Sequence, residues 1–258
     1  RLPGLFNTGN MDLAFDKINA RRGGPVTGTV STFPDQPMLD DMTRKALQVL
    51  NRNSQGFVLM VEGASIDKQA HNMDTERFIL DTIEFDRSIA AALEFANTNP
   101  DTLIIVTADH ECAGVNVIGG SRVTNATLQT NAPGGGVGAL RNNTLGTYVT
   151  AGFPDYAIQN DGYPVTMDID YKMLVGYAAN ADRYEDWLAN PVANAGPTGR
   201  DSAGNFLVTG QVPGSSAVHT GSDIQLSAAG RGSVLFGGVM DNTEPFFKAM
   251  QAVIGGSK

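Results

Sequence analysis

Two short apolar runs separated by one long amphipathic segment constrain the fold more than any other feature of this chain. The runs are "FVLMVEG" over residues 57–63 and "PDTLIIVTADH" over residues 100–110. Each is short and apolar, as expected for a strand buried on both faces. Between them, "DTERFILDTIEFDRSIAAALEFANTN" over residues 74–99 has the periodicity of a helix. Strand, helix and strand in this order predict a βαβ unit, and therefore an α/β fold with a parallel sheet.

Apolar spacing predicts further helices. "QPMLDDMTRKALQVLNRN" over residues 36–53 has helical spacing, and "MDLAFDKINA" is a shorter amphipathic piece. We also predict a helix over residues 167–190 and a final helix that Asn242 or Thr243 could cap. The inner side of the long helix is predicted to carry Ile79, Ile83, Ile89, Leu93 and Phe95.

Composition divides the chain of 258 residues, which is long enough to bury a sizeable core. Residues 120–215 are rich in Gly, Asn, Thr and Pro and contain stretches such as "TNAPGGGVGALRNN". We therefore predict core segments over residues 1–119 and 216–258, with a loop-rich insertion over 120–215 between them.

The net charge of −9 and the isoelectric point of about 4.7 argue against nucleic acid or an anionic membrane surface as a partner. No apolar segment is long enough to predict a membrane-spanning helix. The chain begins without a recognisable leader, as if in the middle of a longer protein. Its single cysteine, Cys112, rules out an internal disulfide and a cysteine-rich zinc site.

One acid and histidine pair follows the first apolar run. Asp67 and His71 are four residues apart, so on a helix they share one face with Cβ atoms about 5–6 Å apart. That spacing lets a carboxylate and an imidazole bind one metal ion. Such a pair alone is more often an ordinary surface pair.

Further acid and histidine residues strengthen the pattern. Asp109 and His110 end the second apolar run, Glu62 ends the first, and His219 lies in "VHTGSD". Ligand sites of parallel α/β sheets gather at the carboxyl ends of the strands. Because all three histidines of the chain fall in these places, we predict a metal site, and zinc accepts both oxygen and nitrogen ligands.

The segments "VEGASIDKQAH", "VTADHECAG" and "HTGSD" together resemble the metal-binding motifs of alkaline phosphatases, in the order of that family. The ending "AAGRGSVLFGGVMDNTEPFFKAM" and the opening "LPGLFNTGNMDLAFD" are also similar to it. The resemblance covers about residues 1–120 and 216–258. It implies a three-layer α/β/α sandwich with a mostly parallel central sheet, here lacking its N-terminal part.

The resemblance implies two zinc ions and one magnesium ion as cofactors. By position, Asp67, His71 and His219 resemble the ligands of the first zinc. Asp109 and His110 resemble ligands of the second zinc. Two metal ions about 4 Å apart can bind the attacking and leaving oxygens of a phosphoryl group.

Two more residues acquire roles from the resemblance. Glu62 resembles a ligand of the magnesium ion. Lys68 resembles a lysine that, in some bacterial members, helps to hold phosphate through water near the magnesium ion. The implied reaction is hydrolysis of small phosphate monoesters to alcohol and inorganic phosphate through a phosphoserine. Metal cations would make the site attractive to an anionic substrate although the chain is acidic.

The nucleophilic serine of the family is missing from the matched segments. "GRDSAGN" contains Asp201, Ser202 and Ala203, but it follows the zinc motifs and lies in the loop-rich region. A serine there is more typical of a turn. We therefore expect the nucleophile outside this chain, in an N-terminal half of the same enzyme that acts as its partner.

Two other functions stay open from the sequence: a phosphodiesterase or phosphotransferase of the same superfamily, and a non-catalytic metal-binding fragment. The resemblance also implies a homodimer in the periplasm or outside the cell. Cys112 stands where some members carry a histidine that orients a zinc-site carboxylate. It could be a zinc ligand, although a small packing residue is the better interpretation.

Overall fold

The computed structural model describes residues 4–7, 9–24, 36–121, 144–145, 156–167, 169, 173–185, 206–208, 210–212 and 214–255. Five α-helices lie in these ranges: α1 Ala14–Arg21, α2 Leu39–Leu50, α3 Ala64–His71, α4 Thr75–Thr98 and α5 Glu244–Met250. A 3-10 helix, Ser233–Phe236, precedes α5, and a π-helical turn, Gln251–Gly255, follows it. None of the helices described is long and apolar enough to span a membrane.

Nine short strands lie in the same described ranges. They are β1 Leu103–Val106, β2 Glu111–Cys112, β3 Val115–Ser121, β4 Thr144–Leu145, β5 Met173–Tyr177, β6 Arg183–Glu185, β7 Phe206–Val208, β8 His219–Thr220 and β9 Ser227–Gly230. They pair as β1 with β9, β2 with β8, β6 with β7, and β3 between β4 and β5. Helices and sheets together confirm the α/β class.

The chain divides into two compact units. The first unit contains Arg1–Ala64, Leu80–His110 and Asp223–Lys258, and the second contains Ser65–Ile79 and Glu111–Ser222. The domain limits predicted from composition stay a prediction.

A buried ion pair organises the first unit. Lys17 on α1 contacts the carboxylate of Glu84 on α4, and both side chains are almost fully buried. The same carboxylate accepts the N–H of Leu39, the first residue of α2, at 2.8 Å. A buried charge is tolerated when it is paired and hydrogen-bonded, so Glu84 fixes α1 and α2 against α4.

The buried face of α4 differs from the apolar side that the sequence suggests. Leu80, Glu84, Ser88 and Ala91 are buried, whereas Leu93 is exposed. The prediction that Leu93 lies on the inner side was wrong. The buried face of α4 includes the polar side chains of Glu84 and Ser88, which have hydrogen-bond partners, and Leu93 lies outside that face. Ser88 donates its hydroxyl to the carbonyl of Glu84 at 3.0 Å, which satisfies it without a distant partner.

The second unit is organised around an apolar cluster that includes Ala70, Met73 and Phe78 from the α3–α4 region, together with Cys112, Ala113, Ala181 and Ala217. Val175 and Tyr177 of β5 pack against it. The Tyr177 hydroxyl contacts Thr75 and donates to the carbonyl of Met73 at 3.2 Å. This cluster supports the elements that carry the acid and histidine residues.

The strand predicted over residues 57–63 is not formed. Val58 and Met60 are 81% and 84% exposed, and the segment pairs with no other strand in the described part of the chain. A strand needs a hydrogen-bonded neighbour, which explains why the apolar run alone is insufficient. The predicted parallel βαβ unit is therefore wrong for these residues, and every strand ladder described is antiparallel.

The helix predicted over residues 167–190 is also wrong. Residues 173–177 form β5, which pairs with β3, and residues 183–185 form β6. Alternate side chains of β5, Val175 and Tyr177, pack on the apolar cluster. The spacing of apolar residues here fits a helix as well as a strand. Packing of alternate side chains on the cluster, together with pairing to β3, favours the strand. The other predicted helices and the strand at residues 103–106 are confirmed.

Asp81 on α4 generates a prediction about pH. Burial, followed by the negative charge of Glu84, raises the pKa of this carboxyl to about 7, and the N–H of Ala14 donates to it at 3.4 Å. Its unfolded pKa is about 3.9, so ionisation favours unfolding as the pH rises from about 4 to 7. We expect Asp81→Asn to stabilise the fold at pH 8 by up to about 4 kcal/mol and to have little effect at pH 4.

Urea unfolding at the two pH values measures this difference. Asp86→Asn is the matched control, because Asp86 is exposed on the same helix and loses the same charge. A gain for Asp81→Asn that is equal at pH 4 and pH 8 would contradict the burial argument.

Candidate metal centre

Helix α3 places Asp67 and His71 on one face, as their spacing predicts. The Oδ1 atom of Asp67 lies 3.4 Å from Nε2 of His71. Both side chains are partly buried, which limits competition from solvent. The pair alone offers one oxygen and one nitrogen to a cation.

Strand β8 brings His219 to this pair across 148 residues of sequence. Its Nε2 atom lies 3.2 Å from Oδ1 of Asp67 and 3.0 Å from Nε2 of His71. Tetrahedral zinc binds oxygen and nitrogen at about 2.0–2.2 Å, which sets ligand atoms roughly 3.3–3.6 Å apart. The three donor atoms therefore form a triangle close to one face of a zinc tetrahedron.

A second hydrogen bond orients His71. Its Nδ1 atom lies 2.6 Å from the carbonyl oxygen of Ala217, which only accepts, so the proton of the neutral ring is on Nδ1. Its Nε2 then carries the lone pair that faces Asp67 and His219. The N–H of Ala217 also donates to the carbonyl of His71 at 2.9 Å, so main chain and ring are both fixed. Metal-binding histidines characteristically have such a partner on the other nitrogen.

Cys112 is the fourth potential ligand in this group. It lies directly opposite His219 in the β2–β8 ladder. Its Sγ and the donor atoms of Asp67, His71 and His219 all lie within 4.8 Å of one another. The thiol is buried and donates to the main-chain carbonyl of Asp67 at 3.7 Å. Burial, then the neighbouring Asp67 and Glu111, raises the pKa of this thiol to about 12.

Glu111 is a positioning residue that the sequence argument missed. Its carboxylate accepts the N–H groups of Gly114 and Val115 at 2.9 and 2.8 Å, and the hydroxyl of Thr220 at 2.6 Å. Burial raises its pKa, but these hydrogen bonds outweigh burial and hold the pKa below its usual range. Glu111 thereby ties the turn after β2 to the residue that follows His219. The signal for this role in the sequence is that the acidic residue Glu111 lies three residues before Gly114.

The remaining predicted ligands belong largely to the first unit. Asp109 and His110 follow β1, where Oδ2 of Asp109 lies 3.3 Å from Nε2 of His110, and the Asp109 side chain is 85% exposed. Glu62 is exposed in the same unit, whereas Lys68 is exposed on α3 in the second unit. Among the residues described, the group around Asp67 is the one cluster of three or more potential ligands. The roles of these residues stay predictions.

The rejected nucleophile candidate cannot be placed. Asp201, Ser202 and Ala203 lie outside the described residues.

A donor set of this kind in an α/β protein is typical of a metal-binding site. A sequence profile described as alkaline phosphatase matches residues 1–255, so the chain belongs to the alkaline phosphatase family. The resemblance inferred from the three motifs is thereby confirmed.

Several relatives support this membership. "Alkaline phosphatase 3" of Bacillus subtilis is 30% identical over 88% of this chain and 47% of its own length. "Alkaline phosphatase" of Escherichia coli is 37% identical over 53% of this chain and 30% of its own. This chain therefore spans less than half the length of these relatives. A cold-active alkaline phosphatase from Shewanella aligns with a TM-score of 0.47 at 22% identity, over 85% of this chain and 51% of that one.

The triangle predicts a measurable zinc affinity. His71→Ala removes one of three donors, and we expect Zn²⁺ binding to weaken by at least about 100-fold, since loss of mere supporting contacts costs about 10–100-fold. Isothermal titration calorimetry of the purified protein measures the effect. Asn72→Ala is the control, because Asn72 is exposed and adjacent in sequence. Equal zinc affinity in all three proteins would contradict the predicted ligand set.

Proposed function

We propose that this chain forms the metal-holding part of an enzyme that hydrolyses phosphate monoesters to an alcohol and inorganic phosphate. The observation that carries the proposal is the donor triangle of Asp67, His71 and His219 in a chain of the alkaline phosphatase family. A phosphate monoester is a dianion, whereas the chain has a net charge of −9. Hydrolysis of a phosphate monoester therefore requires positive charge at the site itself.

The proposed cofactors are two zinc ions and one magnesium ion. Asp67, His71 and His219 would hold the first zinc, and Asp109 and His110 would contribute to the second. When bound, such ions supply positive charge to phosphate oxygens and lower the pKa of a coordinated nucleophile. One carboxylate and two neutral imidazoles suit zinc, which accepts oxygen and nitrogen ligands alike.

The residues of the chain have distinct tasks in this proposal. The hydrogen bond from Nδ1 of His71 to Ala217 keeps the Nε2 lone pair directed toward the other donors. Lys68 is exposed three residues before His71 on α3, and its ammonium group would help to hold phosphate through water near the magnesium ion. Glu62, with its exposed carboxylate, would hold magnesium, a hard ion that prefers oxygen.

The nucleophile and the full assembly lie beyond this chain in our proposal. A serine from an N-terminal half of the same enzyme would attack phosphorus, break the ester P–O bond and release the alcohol. Water would then hydrolyse the phosphoserine to inorganic phosphate and the free serine. This chain matches less than half the length of these relatives, which supports the proposal that the nucleophile lies in another part of the enzyme. We further propose a homodimer that works in the periplasm or outside the cell, which is what the resemblance to the family implies.

Hydrolysis of p-nitrophenyl phosphate at alkaline pH tests the activity of the natural full-length protein. We expect EDTA to abolish it, Zn²⁺ and Mg²⁺ to restore it, and His219→Ala to lower kcat/KM by at least about 100-fold, equivalent to about 2.7 kcal/mol of transition-state stabilisation. Asp86→Asn, which changes an exposed carboxylate on α4, is the control.

The same assay separates the other functions. Faster hydrolysis of bis(p-nitrophenyl) phosphate would favour a phosphodiesterase. Release of p-nitrophenol mainly with transfer of phosphate to an added alcohol would favour a phosphotransferase. Zinc binding without turnover of either ester in the full-length protein would instead identify a non-catalytic metal-binding protein and overturn the proposal.

The division of the site gives a further prediction. The 258-residue chain expressed alone, 27.2 kDa, is expected to bind zinc but to release no p-nitrophenol, because it would lack the nucleophile. Protein that also contains the N-terminal half should be active. Full activity of the isolated chain, lost in Ser202→Ala, would show that the nucleophile was misassigned.

A further inference from the structure

The only cysteine of the chain lies beside the donor triangle. Cys112 is 8% exposed, and its Sγ lies within 4.8 Å of the donor atoms of Asp67, His71 and His219. Its position is set by the β2–β8 ladder, in which it faces His219, rather than by a flexible loop. A triangle of donors leaves one corner of a tetrahedron for a further ligand.

We propose that Cys112 sets the metal preference of this centre by serving as a sulfur ligand to thiophilic ions such as Cd²⁺. Thiolate sulfur favours soft and borderline ions, whereas carboxylate oxygen favours hard ones. A centre of one oxygen, two nitrogens and one sulfur therefore holds Cd²⁺ more tightly than the triangle alone. The inference rests on the metal centre of the proposed function but requires no hydrolysis.

The binding step is a simple exchange at sulfur. The S–H bond of Cys112 breaks, its proton passes to the buffer, and a bond between sulfur and the metal ion forms. No oxidation occurs. The weak hydrogen bond from the thiol to the Asp67 carbonyl, 3.7 Å long, is given up in the exchange.

A purely positioning role for Cys112 makes a different prediction. If the side chain acted only by donating to the Asp67 carbonyl, a serine hydroxyl would replace it well. If sulfur is a ligand, serine loses the preference for soft ions although it retains a donor. Cys112→Ser therefore separates the two roles, and Cys112→Ala removes both.

The experiment measures Cd²⁺ binding to the purified 258-residue chain by ultraviolet difference spectroscopy and equilibrium dialysis. Because Cys112 is the sole cysteine, a sulfur-to-metal charge-transfer band reports this side chain alone. We expect the band at one Cd²⁺ per chain, its loss in Cys112→Ser, and a fall in Cd²⁺ affinity of at least about 10-fold relative to Zn²⁺. Bound Cd²⁺ should also slow alkylation of the unmodified thiol, a readout that needs no variant.

His71→Ala is the control for adventitious binding to sulfur. It should weaken the band at equal free Cd²⁺, because the triangle has lost a donor. An undiminished band in His71→Ala, no band with Cd²⁺ bound to the unmodified protein, or unchanged Cd²⁺ preference in Cys112→Ser would each overturn the inference. Absence of phosphatase activity in the natural full-length protein, with the band retained in the 258-residue chain, would count against the proposed function only.

Discussion

The pairing of β2 with β8 is the interaction on which the candidate centre depends. Two strands of two residues each place Cys112 opposite His219 and Glu111 opposite Thr220. So short a ladder is weak by itself, yet it joins segments more than 100 residues apart in sequence. Hydrogen bonds around the ladder supply the rest: the N–H of Ala113 donates to the carbonyl of Val218, and the N–H of Ala217 to that of His71, both at 2.9 Å.

Glu111 also compensates for an unfavourable turn. Ala113 and Gly114 follow β2 with φ values of 64° and 62°, and the left-handed conformation costs a residue such as Ala113 roughly 1–2 kcal/mol. Glycine is required at 114 for a second reason, since a Cβ there would lie 2.6 Å from the Cβ of Ala178. Three hydrogen bonds to the Glu111 carboxylate, each worth about 0.5–1.5 kcal/mol, offset such a cost. The turn after β2 is therefore stabilised by Glu111 of β2 itself and by its contact with Thr220 of β8.

The sequence predicted what is encoded locally. Helical periodicity found α2 and α4, and the four-residue spacing of Asp67 and His71 put both on one face of α3. The failures are features that depend on distant partners. Residues 57–63 have the composition of a buried strand but lack a neighbour among the described residues. The sequence could not reveal that Glu84 is buried, because its partner Lys17 lies on another helix.

Charge explains why the fourth donor matters. With one carboxylate and two neutral imidazoles as ligands, a divalent ion at the triangle would have a net charge of about +1. In the proposed function this charge would attract a phosphate dianion despite the acidity of the chain. A thiolate from Cys112 would cancel that charge and complete the coordination. Tighter retention of a soft ion would therefore come with weaker attraction for an anionic substrate. While Cys112 keeps its proton and donates it to the Asp67 carbonyl, the side chain adds no negative charge to the centre. In that state the net positive charge of a bound ion and the three other donors would remain available to an anion.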